Sequence, residues 1–193
     1  SGAIGVIYCI HAKRMNPGPP NSAVNVVWDL APHDLSIIDY FMGETPREIQ
    51  ATGRSFERET LEDAVDFSLA YDSGRSVNVH LSWLTPHKVR ELTVIGEKGV
   101  IVYDDTKTDE MICFYGQGVD NRADASAKSG QITYQAGEMK TIEVPMGQPL
   151  TQECEHFLDC VANDAPVRSD GASGFRVVRQ IELINHCLLY TSD

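Results

Sequence analysis

The sequence predicts an α+β fold in which a mainly antiparallel, open sheet carries helices on one face. Apolar and polar residues alternate along 64–71 and again along 77–83, as in a half-buried strand, and a turn at 72–74 separates the two runs. The helical patterns lie at the two ends of this strand-rich region and not between its strands. Strands joined by short turns pair antiparallel, whereas parallel pairing needs a long crossover. The pattern therefore argues against a doubly wound parallel sheet.

The amino-terminal part of the chain is predicted to hold one strand and one helix. Residues 3–13 are rich in β-formers and predict the first strand, and the breakers of 17–22 predict a loop. Apolar residues then recur at helical spacing up to Gly43, a residue type that favours helix ends. This pattern predicts a helix over about 30–42.

The remaining chain is predicted to hold strands, one polar loop and two closing helices. The Gly/Ser/Ala-rich residues 116–130 predict a surface loop, and amphipathic patterns predict helices over about 149–163 and 171–188. Residues 96–99, Gly-Glu-Lys-Gly, predict a hairpin turn and not a phosphate-binding loop. The predicted strands of this region are 48–56, 64–71, 77–83, 89–95, 100–103, 111–115, 132–135 and 141–144.

The alternation gives the predicted sheet one apolar and one polar face. Apolar residues such as Val65, Phe67 and Trp83 must be covered, and the helices are available to cover them. On the pattern alone, the polar side chains of the other face are expected to meet water. Of these, His80 is expected to be a sheet-surface residue and not a ligand. The polar face carries Asp66, Ser68, Asn78, His80 and Ser82.

The composition of the chain limits the classes of protein to which it can belong. The 193 residues suffice for one domain, and a net charge of −12 disfavours nucleic acid or anionic membrane as a partner. No apolar run is long enough to span a bilayer. The five cysteines include no Cys-x-x-Cys and predict free thiols in a reducing cytoplasm. No metal site is expected, because Glu153-x-x-His156 with Cys160 is interpreted as part of an ordinary amphipathic helix.

Residues 28–34, Trp-Asp-Leu-Ala-Pro-His-Asp, are the strongest candidate for chemistry. If a helix begins near Asp29, then Asp29 and His33 lie on one face, and Pro32 is tolerated in the first turn. A histidine oriented by a carboxylate can move protons near neutral pH. The alternative is that Asp29 only caps the helix and His33 has no chemical role.

This helix is accompanied by other short motifs in a fixed order. The motifs are Gly2-Ala3-Ile4-Gly5 before a strand ending at Arg14 and Asn16, Ser82–Pro86 before 88–90, 96–99 before 100–105, and Pro149-Leu150 before 155–160. From about residue 2 to about residue 183, this order resembles the Gfo/Idh/MocA oxidoreductase family, in the branch that acts on sugars and nucleotide sugars.

The resemblance implies the second domain of a two-domain oxidoreductase. The chain has no glycine-rich turn after a strand and no Glu-Lys-Pro motif, which members of this family carry in their first domain. We therefore expect no Rossmann domain in this chain. Residues 1–185 are predicted to be a substrate-binding and oligomerisation domain, and 186–193 a tail that is not native to it. NAD or NADP would be bound mainly by the missing amino-terminal domain.

The resemblance also implies roles for individual residues. His33 would accept the substrate's proton or bind its hydroxyl, and Asp29 would orient His33 and bind a neighbouring hydroxyl. Arg14 and Asn16 would bind the substrate, although Arg14 could equally be a solvated strand end. Trp28 would pack beside the nicotinamide, with a plain core residue as the alternative. A lysine of the missing domain competes with His33 for the role of base.

The implied function is the catalytic-face half of an NAD(P)-dependent oxidoreductase that acts on a sugar, polyol or nucleotide-sugar hydroxyl. Two alternatives remain: half of an NAD-dependent glycoside hydrolase of the same family, or a non-catalytic oligomerisation or binding module. The isolated chain is expected to be inactive and cytoplasmic. Its expected partners are a sugar-like small molecule and further copies of itself, which would associate through the open sheet face.

Overall fold

An eight-stranded sheet and three helices make up the part of the chain that the computed structural model describes, which is residues 2–18, 23–56, 60–118, 135–144 and 147–190. The elements in chain order are β1 (Ile7–Pro17), α1 (Val26–Met42), β2 (Glu48–Arg54), β3 (Ala64–Ala70), β4 (Ser76–Ser82), β5 (Leu84–Gly96), β6 (Gly99–Asp104), β7 (Ile112–Gly118), β8 (Gln135–Thr141), α2 (Pro149–Asn163) and α3 (Gly171–Tyr190).

The sheet is mainly antiparallel, as predicted. Its strand order is β2-β3-β4-β1-β5-β6-β7-β8. The one parallel pair among these strands is β1 with β4, because α1 carries the chain away from β1 and the β2-β3-β4 meander returns to its side. This arrangement confirms the α+β fold class and places β1 in the middle of the sheet.

The first strand begins later than the sequence suggested. The prediction was 3–13, whereas β1 runs from Ile7 to Pro17. Gly5 has a φ of 68°, in the left-handed region, and its amide donates to the carbonyl of Gly2 at 3.1 Å. The chain therefore turns before it becomes extended, and β1 reaches Arg14 and Asn16 within its length.

Helix α1 begins before the predicted residue 30, because Asn25 caps it. The Asn25 side chain accepts from the amide of Trp28, and Gly43 ends the helix with a φ of 63°. Pro32 consequently lies inside the helix and not in its first turn, which corrects the sequence interpretation. Its missing N–H removes one hydrogen bond from the helix.

The core lies between the sheet and helices α1 and α3. Leu35 and Ile38 of α1 and Ile184 of α3 are fully buried there. Leu69, Val77 and their neighbours form the apolar sheet face, and Trp83, 5% exposed, extends it as predicted. Helix α2, by contrast, has no buried residue. Two of the three predicted helices therefore cover the apolar face, and α2 adds nothing to the core.

The carboxyl-terminal residues 186–190 continue α3. Leu188 is 2% exposed, and the Cys187 thiol donates to the carbonyl of Ile49 at 3.5 Å. That the 186–193 tail is not native to the domain stays a prediction. The predicted loop 116–130 and strand 132–135 fall largely outside the described residues. No helix of the described part is both long and apolar enough to cross a membrane.

Candidate active site

The amino-terminal half of α1 carries the candidate residues. Trp28 is 39% exposed, Asp29 is half-buried and His33 is exposed. Asp29 and His33 are four residues apart on one helix, so they occupy the same face. His33 is not buried among apolar residues, an outcome that would have argued against a chemical role.

The Asp29 carboxylate is held by a residue that the sequence reasoning did not assign to the site. The indole N–H of Trp83 donates to Asp29 Oδ2 at 2.9 Å. No hydrogen bond joins the side chains of Asp29 and His33 within the described residues. The Ser36 hydroxyl donates to the backbone carbonyl of His33 at 2.9 Å, and His33 is exposed to solvent.

Arg14 and Asp34 form a buried ion pair next to this surface. Arg14 Nε and Nη2 donate to the two oxygens of Asp34 at 2.8 and 2.7 Å. Both residues are nearly inaccessible, at 7% and 3% exposed. Burial alone would lower the pKa of Arg14, but the hydrogen bonds and charge of Asp34, with the charge of Asp105, raise it above its ordinary value. The pair ties α1 to the central strand β1.

A second ion pair continues this charged cluster along the sheet. Arg90, the register partner of Arg14 on β5, donates to Asp105 at 3.1 Å. Burial, followed by the nearby negative charge of Asp105, raises the pKa of Tyr103. Arg90 Nε and Asn16 Oδ1 are buried with no hydrogen-bond partner. Two polar atoms of this cluster thus remain able to accept or donate a further bond.

The structure brings the predicted site residues together only in part. Asp29 and His33 share a face, whereas two donor groups of Arg14 are taken up by Asp34. The substrate roles of Arg14 and Asn16 and the cofactor role of Trp28 stay predictions. Sequence reasoning missed Trp83 and Asp34 as site residues. One signal was present, because a buried tryptophan needs an acceptor for its N–H.

The open face of the sheet carries a shallow hollow of about 370 Å³. His80 Nδ1 lies 2.7 Å from Asp66 Oδ1 there, and His80 is a residue of the sheet surface, as predicted. Lys13 pairs with Glu91 at 3.5 Å on the same face. Polar residues from four neighbouring strands line the hollow: His11, Lys13, Gln50, Thr52, Asp66, Ser68, Asn78 and His80.

A further cleft of about 790 Å³ lies between α1 and the start of α3. It is lined by Tyr40 and Phe41 of α1 and by the 168–170 segment, and Arg176 binds Asp39 at its edge at 2.8 Å. No group of three or more potential metal ligands occurs among the residues that the structure describes.

Solved structures of sugar-related oxidoreductases share this fold. UDP-N-acetylglucosamine 3-dehydrogenase GnnA from Acidithiobacillus ferrooxidans aligns with a TM-score of 0.78 at 20% identity, over 98% of this chain and 57% of its own. Levoglucosan dehydrogenase, in complex with NADH and levoglucosan, aligns at 0.74 and 18% identity, over 99% and 59%. An aldose-aldose oxidoreductase from Caulobacter crescentus, complexed with glycerol, aligns at 0.73 and 17%, over 96% and 54%. These likenesses show the fold, and the chain spans little more than half the length of each relative.

The family follows from the sequence itself. The family profile of the GFO/IDH/MocA C-terminal domain matches residues 1–102, which is more than half of the chain, and the chain belongs to this family. The matched part includes α1, strands β1 to β5 and most of β6. A search of curated protein sequences found no match.

Proposed function

We propose that this chain is the substrate-binding, catalytic-face half of an NAD(P)-dependent oxidoreductase that acts on a hydroxyl of a sugar, polyol or nucleotide sugar. The observation that carries the proposal is the exposed His33 imidazole on the same face of α1 as the half-buried Asp29 carboxylate. The fold neighbours named as dehydrogenases of a nucleotide sugar and of levoglucosan support the substrate class.

His33 has the chemistry that oxidation of a carbinol requires. The hydroxyl proton must be taken up while a hydride leaves the same carbon, and a neutral imidazole accepts a proton near pH 7. A bound dinucleotide would supply the acceptor for this hydride. Asp29 Oδ1, which has no hydrogen-bond partner in the described residues, would bind a second hydroxyl of the substrate. The lysine of a partner domain remains the alternative base.

Trp28 fits a place beside the nicotinamide. Its side chain is 39% exposed and precedes Asp29 on the helix, so it offers an apolar surface at the edge of the candidate site. The glycines at the start of α3, Gly171 and Gly174, follow the irregular segment 164–170 and not a strand, unlike the glycine turn that holds a pyrophosphate. We therefore assign most of the dinucleotide affinity to another domain, and expect the isolated 193 residues to be inactive.

The open sheet face is proposed to pair with a second copy of the chain. It is polar, and its hollow of about 370 Å³ would hold water, as polar interfaces between subunits commonly do. A cytoplasmic location is part of the same proposal, and the five unpaired cysteines support it. Size-exclusion chromatography with light scattering tests the pairing, and Asp66→Lys should shift the protein to monomer.

The activity test uses a full-length protein that is as long as the relatives and contains this chain. Each of a panel of sugars, polyols and nucleotide sugars is incubated with NAD or NADP, and reduction of the nicotinamide is followed by its absorbance. Product analysis separates a keto sugar, expected here, from a cleaved glycoside. Full activity or micromolar dinucleotide binding by the 193 residues alone would contradict the assignment of dinucleotide binding to another domain.

A further inference from the structure

We propose that Trp83 is a positioning residue for the candidate site. Its indole N–H holds Oδ2 of Asp29, so the other carboxylate oxygen, Oδ1, is presented to a substrate hydroxyl. The inference rests on the proposed function and deepens it, because it assigns Asp29 to substrate binding rather than to His33. The bond is 2.9 Å long and joins residues 54 positions apart in the chain.

Trp83 is a rigid donor. It is 5% exposed, belongs to the hydrophobic core and forms the corner between β4 and β5. Its amide donates to the carbonyl of the fully buried Asp63 at 3.0 Å, and the next amide, of Leu84, donates to the Ser82 hydroxyl at 3.0 Å. The indole therefore cannot turn away from Asp29 without disturbing the core.

The Asp29 carboxylate needs such a donor to be fixed. The terminal torsion of an aspartate is broad, so an unheld carboxylate samples many orientations. A hydrogen bond from a neutral donor to an ionised acceptor is among the stronger ones in proteins. With Oδ2 held by Trp83, Oδ1 remains as the acceptor, and no other side chain of the described residues binds it.

The arrangement separates two tasks on one helix face. His33 makes no side-chain hydrogen bond to Asp29 in the described residues, so its imidazole is left for the reacting hydroxyl. Asp29, held by Trp83, binds a hydroxyl next to the reacting one. This division favours substrates that carry two neighbouring hydroxyls, since a single alcohol would leave Asp29 Oδ1 desolvated and unpaired.

The contact is tested in the 193-residue chain by ¹⁵N–¹H NMR. The chain has two tryptophans and hence two indole N–H signals, and Trp28→Phe assigns them. Asp29→Ala is expected to move the Trp83 indole proton upfield, because its acceptor is lost. Asp72→Ala, in the exposed turn that joins β3 and β4, is the matched control and should leave that signal in place. A Trp83 signal that does not respond to Asp29→Ala overturns the proposal.

The role is tested in the full-length enzyme with Trp83→Phe, which keeps the apolar bulk and removes the donor. We expect KM for a vicinal diol substrate to rise roughly tenfold while kcat changes less, as loss of one ground-state hydrogen bond would produce. The double variant with Asp29→Ala should be no worse than Asp29→Ala alone. An unchanged KM in Trp83→Phe, or a kcat loss alone, contradicts the positioning role.

The NMR and kinetic experiments together distinguish a failure of this inference from a failure of the proposed function. If the NMR contact is present but no sugar is oxidised, the proposed function fails and the substrate role of Trp83 fails with it. If sugars are oxidised and Trp83→Phe matches the parent enzyme in KM, only the positioning role fails. The thermal unfolding midpoint of Trp83→Phe, measured beside both arms, shows whether a KM change reflects a damaged fold.

Discussion

Helices α1 and α2 are both amphipathic, but they differ in how much of their apolar surface is buried. Helix α1 buries residues along its whole length against the sheet, including Leu35 and Ile38 at 0% exposed. Helix α2 buries none, and the apolar side chains of Leu150, Phe157 and Val161 are 71%, 67% and 71% exposed. The fold therefore holds α1 in place, as a site-bearing helix must be held, whereas no buried side chain among the described residues fixes α2.

Four features make α1 a suitable carrier for the candidate site. Asn25 caps it, Gly43 ends it, Arg14 ties it to the centre of the sheet and Trp83 holds Asp29. Helix α2 has no side-chain cap at Gln148. A helix of this length without tertiary packing is marginal in water. Substitutions in the two helices should therefore differ in effect, and the following predictions measure by how much.

The largest effect is expected at the buried ion pair. Arg14→Ala leaves the Asp34 carboxylate buried and uncompensated, which should lower the free energy of unfolding by about 3–5 kcal/mol. The matched control is Lys13→Ala on the same strand, whose exposed pair with Glu91 contributes about 1 kcal/mol or less. Urea denaturation of both variants measures the difference. Equal losses would mean that the buried pair does not anchor α1.

A leucine in each helix gives the next comparison. Leu35→Ala should destabilise by about 2–5 kcal/mol, because it opens a cavity in the core. Leu150→Ala, at a residue that is 71% exposed, should stay within about 0.5 kcal/mol. The same denaturation experiment applies. A loss at Leu150 comparable to that at Leu35 would show that α2 is packed in solution.

The helix caps should give the smallest effect. Asn25 accepts from the Trp28 amide at 3.3 Å and donates to Glu62 and Asn185 at 2.8 and 2.6 Å. Asn25→Ala should cost about 1–2 kcal/mol. Gln148→Ala removes no cap bond and should change the stability by no more than about 0.5 kcal/mol. Thermal unfolding of the two variants measures these changes in stability. An unchanged stability in Asn25→Ala would contradict a stabilising role for the Asn25 cap.

The sequence predicted those features that depend on local periodicity. The period of two in 64–71 and 77–83 identified β3 and β4 and their buried faces, and the helical stripe before Gly43 identified α1. The start of α1 was missed because the first apolar residues, Val26 and Val27, are β-branched and also suit a strand. Asn25 was therefore not recognised as the cap.

The site was predictable only where its residues are close in sequence. Asp29 and His33 share one helix, so their spacing revealed them. The bonds of Asp29 with Trp83 and of Arg14 with Asp34 join residues 54 and 20 positions apart. No local pattern encodes such contacts. The exposure of α2 was equally hidden, since an apolar stripe looks the same whether or not it is covered.

The turnover of His33→Ala in the full-length enzyme tests directly whether His33 takes part in the chemistry. If His33 handles the substrate proton, kcat should fall roughly 10²–10⁴-fold. His156→Ala, which removes an imidazole of α2 outside the candidate site, is the matched control and should keep the parent turnover. A His33→Ala enzyme with unchanged turnover would contradict the account and return His33 to a solvent-exposed helix residue without a chemical role.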